Sequence, residues 1–224
     1  MKREFLITGD GSVTIHLPEW NEQYHSKHGA IAEANHVFIE TGLRYWLSKH
    51  SKKTVSILEI GFGTGLNAFL TSLEATCEQI TIDYTGIEAF PISALEIEKL
   101  NYPEILNASE KDFLSLHKSP WEISTQLGPK FNLTKLKKTF SEIDDNEAYS
   151  IIYFDAFGAR VQPELWTEEI FNKMFVALKP NGILVTYSAK GSVRRALQTV
   201  GFKVERLPGP PGKREMLRAE KLPV

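Results

Sequence analysis

The apolar positions of this chain change period along its length, and each change predicts an element. Phe5-Leu6-Ile7-Thr8 and Val13-Thr14-Ile15-His16-Leu17 flank Gly9-Asp10-Gly11-Ser12, the pattern of a β-hairpin with a glycine-rich turn. Ile31, Ala34, Val37, Phe38, Leu43, Trp46 and Leu47 recur at helical intervals over residues 31–47. Residues 55–60, 79–87, 149–154, 183–187 and 202–207 read as strands of one sheet. Between them, helices are expected from 66 to about 75, from Pro91 through Leu100, from a Thr167 cap through Leu178, and over 192–200. Pro180-Asn181-Gly182 stops the third of these helices. Residues 102–108 are read as a short third strand, with Asp112 in the loop or helix start after it. Residues 119–147 break the rhythm. They mix Pro, Gly and Lys with one amphipathic stretch, 131–140, and are read as an insertion forming a strand or hairpin at the rim.

Strands that alternate with helices imply an α/β fold: a doubly wound, mostly parallel sheet with helices on both faces. The last strand, 214–219, follows 202–207 across Pro208-Gly209-Pro210-Pro211-Gly212 with no helix between, so an antiparallel pair must close one edge. The 224 residues are expected to form a single domain, with residues 1–53 as an amino-terminal extension or lid. No internal repeat is visible.

Composition narrows the setting. A hydrophobic content of 42% with 24% charged residues is that of a soluble globular chain. No apolar run reaches the roughly 20 residues needed to span a bilayer, and no signal-peptide core follows Met1-Lys2-Arg3-Glu4-Phe5. Cys77 is the single cysteine, which excludes an internal disulfide and a cysteine-cluster metal site and suits a reducing cytoplasm. Net charge is −2, but it is unevenly spread. Residues 190–221 hold nine Lys/Arg against three Glu, a net +6; the rest, with 17 basic and 25 acidic residues, carries −8. A basic end on an acidic body is compatible with docking a phosphate backbone, and equally with a solvated surface helix and strand.

The chemistry starts at Ile57-Leu58-Glu59-Ile60-Gly61-Phe62-Gly63-Thr64-Gly65. An apolar strand ends in a carboxylate, and Gly61, Gly63 and Gly65 follow at alternate positions ahead of a helix, the unit of a nucleotide-binding α/β domain. Glycine lets a ligand approach backbone where a Cβ would collide. A dinucleotide fingerprint requires a last glycine where this chain has Leu66. The acidic-x-Gly-x-Gly-x-Gly form instead resembles motif I of class I S-adenosylmethionine (SAM) methyltransferases, and the antiparallel ending is characteristic of the same class. A tight turn with no ligand is the bland alternative.

Open α/β sheets bind ligands at the carboxyl ends of their strands. Glu59, Glu88, Asp112 and Asp155 lie at or just beyond such ends. Glu88, after the second strand, suits both ribose hydroxyls of NAD or SAM. Glu59 is placed for the methionine ammonium of SAM, and Asp112 for its adenine amino group. Each also reads as a helix-capping or surface carboxylate. Asp155, in Phe154-Asp155-Ala156-Phe157-Gly158, follows the fourth strand across the switch point from the glycine loop. Methyl transfer from a sulfonium to an amine moves positive charge onto nitrogen, and a fixed carboxylate there stabilises that charge, orients the lone pair or takes a proton. No metal is required.

Four segments carry a wider likeness: Asp10-Gly11-Ser12 with Tyr24-His25-Ser26-Lys27-His28-Gly29-Ala30, Glu33, His36, Val37 and Phe38; Glu59 through Asn67; Phe154-Asp155-Ala156-Phe157 with Pro163-Glu164-Leu165-Trp166-Thr167; and Thr186-Tyr187-Ser188-Ala189-Lys190-Gly191 with Val193-Arg194-Arg195 and Gly209-Pro210-Pro211-Gly212-Lys213-Arg214-Glu215-Met216. In these the sequence resembles the tRNA 5-aminomethyl-2-thiouridine methyltransferases, comprising the methyltransferase half of bifunctional MnmC and the stand-alone MnmD type. The likeness implies SAM contacts at Glu59, Gly61, Gly63, Gly65, Glu88 and Asp112, and Asp155 facing the uridine aminomethyl nitrogen. It implies a lid at Tyr24 and His25, and tRNA phosphate contacts at Lys190, Arg194, Arg195, Lys213 and Arg214. Gly158-Ala159-Arg160 departs from the family, which has a Pro and a Lys there, so the loop after Asp155 is expected to differ in detail. No flavin domain follows residue 224, so methylation without removal of a carboxymethyl precursor is expected.

The preferred reading is a cytoplasmic SAM-dependent methyltransferase of tRNA wobble uridine, using neither metal nor flavin. A small-molecule or protein amine N-methyltransferase of the same fold remains an alternative. An NAD-dependent oxidoreductase and a non-catalytic nucleotide-binding protein are alternatives of other classes.

Overall fold

The computed structural model describes residues 2–223. Strands β1 (Glu4–Ile7), β2 (Val13–Leu17) and β3 (Glu22–Gln23) form a small antiparallel sheet, in agreement with the expected hairpin. Asp10 locks its turn: Oδ1 accepts the Thr8 hydroxyl at 2.8 Å and the Ser12 N–H at 3.1 Å. Its Oδ2 accepts the Ala32 N–H at 2.9 Å, so the same carboxylate caps the first helix from outside it.

That helix runs as α1 (Ala30–Ala34), a π-helical stretch Asn35–Arg44, and α2 (Tyr45–Lys49). Gly42 lets it lie close to the main sheet, since a Cβ there would stand 3.2 Å from both Tyr153 Cε1 and Val185 Cγ2. The chain continues through β4 (Thr54–Ile60), α3 (Leu66–Cys77), β5 (Thr81–Ile87), α4 (Ala94–Ile97), α5 (Tyr102–Ile105), α6 (Glu110–Lys118), β6 (Thr125–Gln126), β7 (Phe131–Leu136) and β8 (Tyr149–Phe154). It closes with α7 (Glu168–Ala177), β9 (Leu178–Thr186), α8 (Gly191–Thr199), β10 (Lys203–Pro208) and β11 (Glu215–Glu220).

The eight-stranded sheet has the order β10-β11-β9-β8-β4-β5-β7-β6. Its five central strands are parallel, and β11 runs antiparallel to both β9 and β10, as the helix-free ending demands. One face packs the long first helix, α3 and α6 around Phe38, Phe69, Tyr84 and Tyr153; the other packs α7 and α8 around Phe154, Phe171 and Leu197. The order reverses between β4 and β8, which opens a crevice at their carboxyl ends.

Four local expectations fail, one being the helix read from Pro91 through Leu100, of which only Ala94–Ile97 is helical, behind a Ser93 cap. Residues 102–108 contain no strand: Pro103 sits in the first turn of α5, where its missing N–H costs nothing, and α6 follows at once. The third parallel strand is β7, inside the stretch read as an insertion. Its sequence Phe-Asn-Leu-Thr-Lys-Leu alternates buried and half-buried positions, and it pairs with β5 while β6 folds back along it. The rim hairpin exists, but its inner strand extends the main sheet. Likewise Pro180-Asn181-Gly182 does not follow a helix end: α7 stops at Ala177, and those residues lie within β9 where its register with β8 shifts.

Candidate functional site

A cleft of about 1730 Å³ occupies the crevice, lined by the glycine loop, the end of β5, the loop after β8 and the amino-terminal sheet. Neighbouring parallel strands deliver its two central carboxylates. Glu59 is paired with Tyr153, and one step on, the Asp155 N–H donates to the Ile60 carbonyl at 2.9 Å. Asn67, in the first turn of α3, joins them. Its Nδ2 stands 2.9 Å from Glu59 Oε1 and 2.9 Å from Asp155 Oδ2.

Glu59 is 1% exposed, and burial pushes its carboxyl well above the usual range; the Asn67 hydrogen bond opposes this and the Asp155 charge adds to it. Burial likewise raises Asp155, with the charge of Glu33 adding, to about 7 against the opposing Asn67 hydrogen bond and Lys213 charge. Glu59 Oε2, Asn67 Oδ1 and the neighbouring Tyr84 hydroxyl are buried without a hydrogen-bond partner among the described residues. With Glu59 ionised, its Oε2 and the Asn67 Oδ1 are both acceptors, an arrangement that fits an incoming ammonium.

The glycine loop is pinned beside them. The Gly61 and Phe62 N–H groups both donate to the Ile87 carbonyl, at 3.1 and 2.9 Å, and the Gly65 N–H closes the turn on Phe62. Gly61 has φ +90°, and a Cβ on it would stand 2.8 Å from the Asp155 carbonyl oxygen, so no other residue fits between the two strand ends. Glu88 Oε2 accepts the Gly63 N–H at 2.9 Å and Oε1 the Phe90 N–H at 2.8 Å. Each oxygen of this half-buried carboxylate keeps a lone pair directed elsewhere.

Tyr24 and His25 both reach this loop. The Tyr24 ring lies against Gly63 and meets Phe157 edge-on at 4.9 Å, and burial pushes its hydroxyl up to about 12. His25 is held by the Thr14 hydroxyl on Nδ1 (3.2 Å) and the Thr64 hydroxyl on Nε2 (3.4 Å), the latter also bonded by Tyr102. Burial lowers its imidazole to about 4, so it is neutral at physiological pH and braces the loop from the side. Arg160, at the position that departs from the family pattern, ties the loop after Asp155 to the amino-terminal sheet through Trp20 O, Asn21 O and Glu22 Oε2 at 2.8–3.0 Å.

Asp112 does not join the site. It is exposed in the first turn of α6, where its N–H is capped by Ser109, and it is absent from the cleft lining. The misplaced third strand is the reason: β7, not residues 102–108, ends beside the cleft, and Thr139, Phe140 and Ser141 beyond it line the wall. Among the five basic candidates, Lys190, Arg195 and Arg214 are exposed and Arg194 half-buried, and none pairs with a carboxylate among the described residues. Lys213 differs. It turns into the cleft, bonded to Glu33 at 2.5 Å.

Asn67, Glu33 and Tyr187 escaped assignment from sequence. Glu33 did carry a signal, a carboxylate on the apolar side of a helix beside Ala30 and Ala34. Asn67 is the first polar side chain after the glycine loop, a position any helix start fills with a polar residue.

Residues 102–222 match the family model described as S-adenosyl-L-methionine-dependent methyltransferase. The chain is 31% identical over 225 aligned positions to the tRNA 5-methylaminomethyl-2-thiouridine biosynthesis bifunctional protein MnmC of Leptospira interrogans, covering 95% of this chain and 34% of that protein. It is 28% identical to the MnmC protein of Pseudomonas fluorescens over 90% of this chain and 32% of that one. The chain thus spans about a third of the length of these curated relatives. Among solved structures, MnmC2 from Aquifex aeolicus superposes with a TM-score of 0.77 at 28% identity, covering all of this chain and 71% of that one. Spermidine synthase from Thermotoga maritima shares the fold alone, with a TM-score of 0.54 at 16% identity over 98% of this chain and 68% of that one.

Proposed function

Because this chain belongs to the S-adenosyl-L-methionine-dependent methyltransferase family, we propose that it methylates the amine of a 5-aminomethyl group on the wobble (2-thio)uridine of tRNA, giving the 5-methylaminomethyl nucleoside. The observation that carries the reading is the Asp155 carboxylate, raised toward neutrality and fixed by Asn67 beside the glycine loop. The MnmC names of the relatives support the tRNA acceptor.

S-adenosylmethionine bound in the cleft supplies a methyl group already activated by a sulfonium. Glu59 Oε2 and Asn67 Oδ1 are the acceptors for its ammonium, and Glu88 keeps lone pairs for its ribose hydroxyls. Gly61 and Gly63 line the cleft and leave the backbone open to its approach, while Gly65 makes the left-handed turn into α3 against His117. Tyr24 covers the loop from the extension side.

Asp155 serves the acceptor. A primary alkylamine arrives protonated and has no lone pair to attack with. The Asp155 carboxylate takes one proton, leaving the neutral amine hydrogen-bonded to it and aimed at the methyl carbon. As the new N–C bond forms the methyl C–S bond breaks, sulfur leaves as a neutral thioether, and positive charge passes to the nitrogen beside that carboxyl group. A carboxyl raised to about 7 is a stronger base than an ordinary carboxylate and still ionises at neutral pH. The unpaired cations Lys190, Arg194, Arg195 and Arg214 surround the start of α8 and the loop before β11, and they are assigned to tRNA phosphates.

The decisive experiment is methylation in vitro of tRNA from cells that lack this step, with nucleosides read by mass spectrometry. Conversion of the aminomethyl to the methylaminomethyl uridine is expected. Methyl incorporation elsewhere in the tRNA, or none, rejects the proposal.

A further inference from the structure

Glu33 stands among the buried Ala30, Ile31 and Ala34 and is itself 7% exposed. Its Oε2 accepts the Ser26 backbone N–H at 2.8 Å, and its Oε1 accepts the Lys213 ammonium. The same ammonium lies 3.9 Å from the centroid of the Tyr187 ring. Tyr187 is held in place because its hydroxyl donates to the carbonyl of Ala156, the residue after Asp155. A buried carboxylate and an aromatic face that converge on one point make a receptor for an ammonium group. All four side chains, Glu33, Tyr187, Lys213 and Asp155, line the one cleft.

We propose that the Glu33 carboxylate and the Tyr187 ring form the recognition subsite for the protonated primary amine of the acceptor, and that Lys213, which carries the same functional group, holds the subsite until the acceptor exchanges with it. The inference rests on the reading of an amine acceptor given above and deepens it. Exchange replaces one ammonium by another, so the buried Glu33 is never left unpaired, the condition that makes a broken buried ion pair costly. Lys213 can leave because its side chain is 32% exposed, open to water on one side. It comes from the opposite end of the chain, on a loop seated against His28: Gly212 has φ +83°, and a Cβ there would stand 2.2 Å from His28 Cδ2. An acceptor without positive charge does not displace Lys213, so the pair selects for amines. Once seated, the acceptor lies in the same cleft as Asp155.

The test uses steady-state methylation of aminomethyl-uridine tRNA at saturating SAM, with tRNA lacking the aminomethyl group as a binding control. Glu33→Gln is expected to raise KM for the aminomethyl tRNA at least tenfold while kcat changes less than threefold. Affinities for SAM and for the control tRNA should stay at wild-type values. Lys213→Met removes the occupant and is expected to lower the same KM at least threefold; Lys213→Arg, whose fork grips a carboxylate more firmly, is expected to raise it. The double variant Glu33→Gln/Lys213→Met should behave as Glu33→Gln alone. An unchanged KM in Glu33→Gln overturns the proposal, as does a rise in Lys213→Met equal to that of Glu33→Gln, the behaviour of a fixed structural ion pair. If Lys213→Met does not fold, the Glu33→Gln and Lys213→Arg values decide. Failure of the wild-type protein to methylate this tRNA defeats the acceptor assignment itself. Calorimetry with n-butylammonium then judges the subsite: binding to Lys213→Met that is lost in the double variant sustains it, and no binding overturns it.

Discussion

Glu59 and Asp155 share one hydrogen-bond donor, the Asn67 amide nitrogen, at 2.9 Å from an oxygen of each. Burial raises both carboxyl groups, and the Asp155 charge raises Glu59 further while the Glu33 charge raises Asp155. An ammonium placed against Glu59 favours the ionised form there, while Asn67 transmits position, not charge, to Asp155. The donor side and the acceptor side of the cleft are therefore mechanically joined through a single side chain.

Asn67→Leu removes that joint and leaves two buried carboxyl groups without a donor. A hydrogen bond to a charged group contributes about 1.5–3 kcal/mol. We therefore expect SAM affinity to fall roughly tenfold to a hundredfold, and turnover to fall with it. Calorimetry and single-turnover assays measure both. A variant that binds SAM normally and loses only turnover would detach Glu59 from the donor site.

Glu88 supports the glycine loop through Gly63 while keeping free lone pairs. Glu88→Ala should weaken SAM by about 1.5–3 kcal/mol, as for loss of a charged acceptor. Glu88→Gln, which keeps one acceptor oxygen, should lie between this variant and wild type. Equal affinity in all three proteins would remove the residue from the ribose site.

How much of this site was legible in the sequence depended on distance along the chain. The glycine loop with Glu59, and the carboxylate ending strand β8, are local patterns, and the structure brings them together at the switch point. The assignment of Asp112 failed because Tyr102-Pro103 suits the first turn of a helix as well as a strand, and the true third strand β7 hid in a stretch rich in lysine. Lys135 illustrates the difficulty: it reads as a surface charge, yet it is 1% exposed and donates to the His117 carbonyl at the end of α6. The Glu33–Lys213 contact joins residues 180 positions apart, and no periodicity within either segment encodes it.

Asp10 ties the first hairpin to α1, and four donors, the Ser12 hydroxyl and N–H, the Ala32 N–H and the Thr8 hydroxyl, hold its carboxyl below the usual range although burial opposes them. A carboxyl group lowered by folding contributes stability that is present above its unfolded value and is lost as pH falls through the folded one. Asp10→Asn should therefore lower Tm at pH 7, by about 1 kcal/mol of stability as for a helix cap, and converge on wild type as pH falls below the usual carboxylate range. Parallel melting curves across pH would expose the error if the gap were the same everywhere.

The basic residues near α8 predict a salt response. Binding of tRNA should weaken steeply with ionic strength, and each of Lys190, Arg194, Arg195 and Arg214 that contacts a phosphate should reduce the logarithmic slope by about 1 when replaced by Ala. With tRNA lacking the aminomethyl group, where Lys213 stays on Glu33, its replacement should leave the slope unchanged. An unchanged slope in the quadruple variant would leave this face a solvated surface.

Asp155 makes the sharpest prediction because its role in catalysis and its cost to stability point in opposite directions. Its carboxyl is raised to about 7, chiefly by burial. A group raised by folding contributes stability that is fully present below its unfolded value and is lost as pH rises through the folded one. Asp155→Asn keeps the shape and still accepts from Asn67, but it has no charge to bury. The variant should therefore melt at the wild-type temperature near pH 4 and above it at pH 8. Activity should move the other way. Wild-type kcat/KM should rise with pH to a plateau with an apparent pKa near 7, as the proton acceptor ionises. The Asn variant should lose at least ~10²-fold in turnover, the scale of one positioned electrostatic group. If Asp155 acts only as a fixed charge, that deficit is the same at every pH; if it accepts the proton, part of the deficit disappears at high pH, where the amine is already neutral. Near-normal single-turnover methylation by the Asn variant, together with an unchanged melting profile, would reduce Asp155 to a cap on the end of β8.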